Sequence, residues 1–272
     1  MSTTVANVVA AAERLWPAAG AESWDAVGLV AGDLDASVSR ISLAVDAVLD
    51  TVEEAIVDGA DMLITHHPLL LRGVTSIASD RYKGAVLTKL VRAECALLAA
   101  HTNADIVETG TSARFAAQLG MTNVAPIVAS QNPDRGIGRT GLLPQPMSLG
   151  HLARLLGGIL PATATGIRVA GDFDRVVQSV ALCGGAGDAY LNDPAVLASD
   201  VYITSDLRHH PASEARENAR LANGPALIDV SHWASEWLWL DAAADELRAL
   251  LPDITITVSE LRTDPWDFAV VQ

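Results

Sequence analysis

The chain has 272 residues, which at about 150 residues per domain corresponds to one large or two small domains. Half of the residues are hydrophobic and 19% are charged, which excludes a disordered chain and allows a core of ordinary size. With 18 basic against 33 acidic side chains the net charge is −15, so nucleic acid and anionic membrane surfaces are not expected as partners.

In chain order, residues 4–15 carry apolar positions at helical spacing and predict a helix that Pro17 ends. ISLAVDAV (41–48) predicts a buried strand, and VLDTVEEAIVDG (48–59) a helix closed by Gly59. DMLIT (61–65) is a short apolar strand that runs into His66-His67-Pro68. KGAVLTKLVRAE (83–94) predicts a helix, and CALLAA (95–100) a buried strand ending at His101. This alternation is the pattern of a parallel α/β sheet flanked by helices. Residues 122–148 are dense in proline and glycine, the mark of a connection between two lobes. SLGHLARLLGGI (148–159) restarts a helix with Ser148 as N-cap. Cys95 and Cys183 lie in apolar stretches and read as buried reduced thiols. No basic leader precedes the first Ala/Val run and no apolar run reaches about 18 residues, so the expected location is the cytoplasm.

The second half repeats the first. VQSVALCGG (177–185) matches ISLAVDAV, SDVYIT (199–204) matches ADMLIT (60–65), and PALIDVSH (225–232) matches CALLAAH (95–101). An acidic residue follows the terminal histidine by four positions in both halves: His101 to Asp105, and His232 to Glu236. The offsets of 139, 130 and 131 keep their order, so we read two related α/β lobes: residues 1–125, a connection at 126–147, and residues 148–272.

Six of the seven histidines fall in four clusters at the C-terminal ends of predicted strands, the edge where open parallel sheets bind ligands. The clusters are His66/His67, His101 with Asp105, His209/His210, and His232 with Glu236. Taken singly, a His-His-Pro reads as a turn and a His-x-x-x-Glu as a solvated helix face. At matching positions in two lobes they read as a metal site for Zn, Mn or Fe(II), the ions that imidazole and carboxylate suit. Two ions about 3.5 to 4 Å apart need a bridging carboxylate, for which Asp105 and Glu236 are both available. Gly136, Gly138 and Gly141 spell G-x-G-x-x-G, but no strand precedes them and no helix follows, so a dinucleotide site is not expected. Arg135 and Arg139 in that loop are candidates for an anionic substrate, as are Arg72 and Arg208. Gly184, Gly185 and Gly187 read as a tight strand-to-helix turn, with anion binding as the alternative. Trp233, Trp237 and Trp239 read as packing or subunit contact.

ITHHPLL (64–70), HTNAD (101–105), GIGRTG (136–141), ALCGGAGD (181–188), VYITSDLRHH (201–210) and SHWASE (231–236), with SWDAVGLVAGD (23–33) near the start, run in the order of a known family. The chain resembles the dinuclear-metal-centre family labelled GTP cyclohydrolase 1 type 2 homologue, or Nif-three-like, in its short form without the inserted domain. The resemblance implies two α/β lobes, a toroidal homohexamer and two divalent metal ions per subunit in the cleft between lobes. By position it makes His66, His67, Asp105, His232 and Glu236 the metal ligands and places His101 beside the metals. His209-His210-Pro211 departs from the Tyr-His-Asp of many members, while His210 keeps the equivalent imidazole.

The function expected from this is a metal-dependent hydrolase acting on a nucleotide-like or phosphorylated small molecule, with His101 or His210 moving the proton. Two divalent ions lower the pKa of a bridging water towards neutrality, which suits both ring-opening hydrolysis of a guanine and phosphoester cleavage. The alternative is a non-enzymatic protein that stores, senses or delivers metal.

Overall fold

The computed structural model describes residues 2–270. The chain divides into two compact units: one holds the residues up to Ala104 with Leu240–Thr263, the other Asp105–Trp239 with the chain from Asp264 on.

The first unit opens with α1 (Val5–Leu15), which ends at Trp16 just before Pro17. Then follow β1 (Gly28–Ala31), β2 (Arg40–Ala44), α2 (Leu49–Val57), β3 (Met62–Thr65), α3 (Tyr82–Arg92), β4 (Ala96–Ala99) and the one-turn α4 (Thr102–Asp105). Much later in the chain, β13 (Thr255–Val258) completes the sheet, whose order is β1-β4-β3-β2-β13. β13, β2, β3 and β4 are parallel, and β1 is an antiparallel edge. Strands β3 and β4 are fully buried, which is why they read as continuous apolar runs rather than alternating ones. Val52 and Ala55 of α2 and Val86 and Leu90 of α3 pack with Leu63 and Leu97 in one core cluster.

The second unit holds α5 (Thr111–Gln118), β5 (Thr122–Ala125), β6 (Val128–Ala129), β7 (Gly136–Ile137) and β8 (Arg139–Ser148), then α6 (Leu149–Ile159), β9 (Arg168–Ala170) and β10 (Val176–Ala186). After these come α7 (Pro194–Leu197), β11 (Val201–Ser205), α8 (His209–Ala222), β12 (Ala226–Val230) and the start of α9 (His232–Leu250), whose residues from Leu240 on belong to the first unit. The sheet order is β5-β8-β10-β11-β12-β9. β10, β11 and β12 are parallel, and β9 is antiparallel to β12. Thus β9-β12-β11-β10 repeats β1-β4-β3-β2 in order and direction, the duplication read from the sequence. The Ser148 hydroxyl caps α6 by accepting a hydrogen bond from the His151 amide (3.2 Å).

Two features differ from the sequence expectation. Residues 126–147 are not a free connection: they contain β6, β7 and most of β8, and β8 lies between β5 and β10. Pro144 and Pro146 sit where the β8–β10 register shifts, between Leu142↔Ser179 and Met147↔Val177, so the missing N–H donors cost no ladder bonds. Accordingly the second unit begins at Asp105 rather than after residue 125. Of the three tryptophans read as packing or subunit contact, Trp233 and Trp239 are 5% and 1% exposed on α9 and serve packing, while Trp237 is half-buried.

Candidate metal centre

In the first unit, His66 and His67 directly follow β3 and extend its pairing with β2: their amides donate to Ala44 O (3.1 Å) and Val45 O (2.8 Å). His66 is fully buried, and its Nδ1 lies 2.8 Å from Ala100 O. His67 Nδ1 lies 2.7 Å from Asp46 Oδ1, and the other oxygen of Asp46 accepts from Thr263 Oγ1. His101, just after β4, places Nδ1 2.9 Å from Asp25 Oδ1. Asp25 also accepts from the Thr102 amide (3.0 Å) and hydroxyl, so it caps α4 while it holds the ring. The three imidazoles stand 5.1–5.5 Å apart by ring centroid, and each offers a ligand atom within 4.8 Å of the others.

In the second unit, His232 opens α9 after β12, and Glu236 follows one turn later on the same face. His232 Nε2 lies 2.9 Å from Glu236 Oε1 and its Nδ1 2.7 Å from Asp206 Oδ2. Glu236 is 3% exposed. Loss of water contact opposes a charge on His232, but Glu236 and Asp206 outweigh it and raise its pKa well above the ordinary imidazole value. Asp206 has a left-handed backbone (φ 58°), a conformation uncommon outside glycine and found where a site over-determines it. Gly185, in β10 with φ +70°, lies against the pair: a Cβ there would fall on Glu236 Oε1 and lie 3.2 Å from His232 Nε2. Its amide donates to Ser235 Oγ (2.9 Å), which in turn donates to His232 O (2.8 Å). Asp105 accepts from Thr111 Oγ1. Burial, then Asp105 and Glu236, push the Cys183 thiol up to about 12.

Four histidines therefore share one device. Each ring is tied at Nδ1 to a carboxylate or carbonyl, which fixes its orientation and leaves Nε2 as its second donor atom. That is the support metal-binding imidazoles ordinarily have. The first unit thus brings His66, His67 and His101 together and the second His232 and Glu236, and imidazole and carboxylate are donors that suit divalent zinc, manganese or iron.

Sequence reasoning singled out the histidines and carboxylates but not the groups that hold them, Asp25, Asp46 and Asp206, and it read Gly185 only as part of a turn. Their signal was weak but present, since Asp25 lies in the SWDAVG element and Asp46 and Asp206 follow the C-terminal ends of β2 and β11. Other candidates fall elsewhere. His210 is exposed on the first turn of α8, edge-on to His209 (5.2 Å). Arg139 is 2% exposed and donates to the backbone oxygens of Gly136, Gly138 and Val107 (each 2.7 Å), so it clamps the G-x-G-x-x-G turn and does not face a substrate. Arg135 and Arg208 pair with Glu108 (3.7 Å) and Asp188 (2.6 Å). Gly184 and Gly185 lie inside β10 rather than in the turn that the glycine run predicts, and only Gly187 falls after the strand, ahead of a 3-10 turn at Asp188–Tyr190.

An α/β protein of two repeated units, with imidazole–carboxylate groups at the C-terminal edge of the parallel strands, is the class that fold and site define. The chain belongs to the DUF34/NIF3 (NGG1p interacting factor 3) family, whose model matches residues 3–265. A Streptomyces coelicolor relative named GTP cyclohydrolase 1 type 2 homolog is 45% identical over 269 residues, 96% of this chain and 93% of its own. A Mycobacterium leprae protein of the same name is 32% identical, covering 98% of this chain and 96% of its own. That alignment spans 375 positions, longer than this chain, so the mycobacterial relative carries residues that this short form lacks. A Bacillus cereus protein related to NIF3 shares the fold with a TM-score of 0.90 over 99% of this chain and 100% of its own, at 22% identity. The Staphylococcus aureus hypothetical protein SA1388 matches with a TM-score of 0.87 at 26% identity, over 99% and 100% of the two chains. Among the described residues, no helix is long and apolar enough to cross a membrane.

Proposed function

We propose that this protein is a dinuclear-metal-dependent hydrolase acting on a nucleotide-like or phosphorylated small molecule. The observation that carries the reading is the common anchoring of His66, His67, His101 and His232 at Nδ1. Two imidazoles on a surface need no such support; four held alike beside carboxylates are prepared for a shared task. The name of the relatives, GTP cyclohydrolase 1 type 2 homolog, puts guanine nucleotides first among the substrates to try.

In this reading His66, His67, Asp105, His232 and Glu236 hold two divalent ions. When bound, these supply Lewis-acid polarisation of a carbonyl or phosphoryl oxygen and make water more acidic. Asp25 fixes the His101 ring, so that its Nε2 takes up and returns a proton in the range where imidazole titrates. Among the described residues no carboxylate orients His210, and the proton-transfer role goes to His101 alone. The family likeness extends the proposal to a toroidal homohexamer, which light scattering would read as about six times the 28.5 kDa chain mass.

The test is elemental analysis of purified wild-type protein and Glu236→Ala, with a panel of nucleotides and phosphoesters. The variant should lose most of its metal while keeping its circular dichroism spectrum. Unchanged metal content would remove the assignment. A metal-loaded wild type that turns over nothing on the panel would overturn the hydrolase in favour of a metal-binding protein.

A further inference from the structure

The two carboxylates that orient histidines in the first unit are secured in different ways. Asp25, which meets His101, accepts from the Ala26 amide (2.7 Å) and from both the amide (3.0 Å) and the hydroxyl of Thr102. Local backbone therefore fixes it. Asp46 meets His67 Nδ1 at Oδ1 (2.7 Å), and its Oδ2 accepts from the Thr263 hydroxyl. Among the described residues its carboxylate has no backbone donor, so its second oxygen depends on Thr263.

The sheet explains how a residue 217 positions away comes to Asp46. β13 runs parallel to β2, and the Ser259 amide extends their pairing to Leu43 O (2.8 Å). Parallel strands end at the same edge of a sheet, so the chain leaving β13 passes the place where Asp46 follows β2. Half-buried Thr263 meets the carboxylate there. The terminal torsion of an aspartate is broad, and a carboxylate bonded at one oxygen can still turn about it. Bonds at both oxygens leave one orientation, and the His67 ring is oriented with it.

We propose that Thr263 is a positioning residue of the metal centre, acting through Asp46 to hold His67. The inference rests on the reading of His67 as a metal ligand, and it makes the segment after β13 a determinant of metal affinity. The role needs a hydroxyl donor, so serine can fill it, whereas valine keeps the branched shape and loses the donor.

The experiment is titration of metal-free, full-length protein with zinc ion in competition with a chromophoric chelator. Asp46→Ala removes the direct partner of a ligating imidazole and should weaken zinc by about 10–100-fold. Thr263→Val acts one step further out and should weaken it by about three- to tenfold, with Thr263→Ser within about twofold of wild type. In the Asp46→Ala background Thr263→Val should add less than about twofold, because its effect runs through that carboxylate. Thr257→Val removes a β13 hydroxyl that donates to Ile41 O (3.4 Å) and should leave zinc binding unchanged. Wild-type affinity in Thr263→Val, or an undiminished loss when Asp46 is already gone, would overturn the proposal. A wild type that takes up no metal would remove the hydrolase reading, and crystal structures of metal-free wild type and Thr263→Val then decide whether Thr263 holds His67. A turned Asp46 carboxylate and His67 ring in the variant would uphold that role, and unchanged orientations would overturn it.

Discussion

Asp61 and Asp200 hold the same place in the two sheets. Asp61 Oδ2 accepts from the amides of Ser39 (2.7 Å) and Arg40 (3.0 Å), and its own amide donates to Arg40 O (3.0 Å). Asp200 Oδ2 accepts from the amides of Gln178 (2.9 Å) and Ser179 (2.8 Å), and its amide donates to Ser179 O (3.0 Å). Each carbonyl then accepts the amide that opens the next strand, Ala96 or Ala226 (both 2.9 Å). One carboxylate in each unit thus sets the register of three parallel strands.

Removing either clamp should weaken the fold. Burial alone would raise both carboxyl pKa values, but the backbone donors outweigh it and hold them below the ordinary value of 3.8. A lowered folded-state pKa gives stability that is present above the unfolded value and lost as pH falls through the folded one. Asp61→Asn and Asp200→Asn should each cost about 1–2 kcal/mol at pH 7. The gap to wild type at pH 7 should narrow at a pH below 3.8, as the wild-type carboxylates protonate through their lowered folded-state values. Denaturant melts at the two pH values check this, and a gap independent of pH would show that the charge plays no part.

Gly185 tests whether the backbone is shaped around Glu236. Gly185→Ala asks an L-residue to adopt φ +70° and puts a methyl group on Glu236 Oε1. Stability should fall by about 1–3 kcal/mol, and metal affinity should fall by at least about tenfold as Glu236 is displaced. Gly158→Ala, where a Cβ meets nothing within 4 Å, is the control and should change neither.

His101 separates proton transfer from metal ligation. In the proposed mechanism His101→Asn keeps the full metal content and lowers turnover by about 10²–10⁴-fold. Asp25→Asn, which leaves the imidazole in place but loosens it, should give a smaller loss and a shifted pH–rate profile. Loss of a whole metal equivalent from His101→Asn would make it a ligand, a place its position with His66 and His67 also allows.

Arg139 is expected to matter for stability alone. Arg139→Met removes three donors from buried carbonyls and should cost about 2–4 kcal/mol. In the fraction that remains folded, metal content should be unchanged. A variant of wild-type stability with altered substrate affinity would return Arg139 to the substrate.

Much of this molecule was legible from the chain by itself. The α/β class, the repeated strand pattern and the positions of the histidine–carboxylate pairs follow from patterns of short range: apolar runs of strand length, helical periodicity, and residues a fixed step beyond a strand end. Such signals are local because backbone geometry and side-chain direction are set within a turn or a strand. What only the tertiary structure decided depends on partners far apart in sequence. Asp25 reaches His101 across 76 residues, and Asp46 reaches Thr263 across 217. Arg139 looked like a cation for a substrate until the carbonyls it meets were in place. The proline-rich stretch looked like a linker because proline removes a strand donor, and only the bulge in β8 shows where those donors are not needed. Composition fixes what a segment can do locally; the bonds that hold a histidine ring in place form only when distant segments meet.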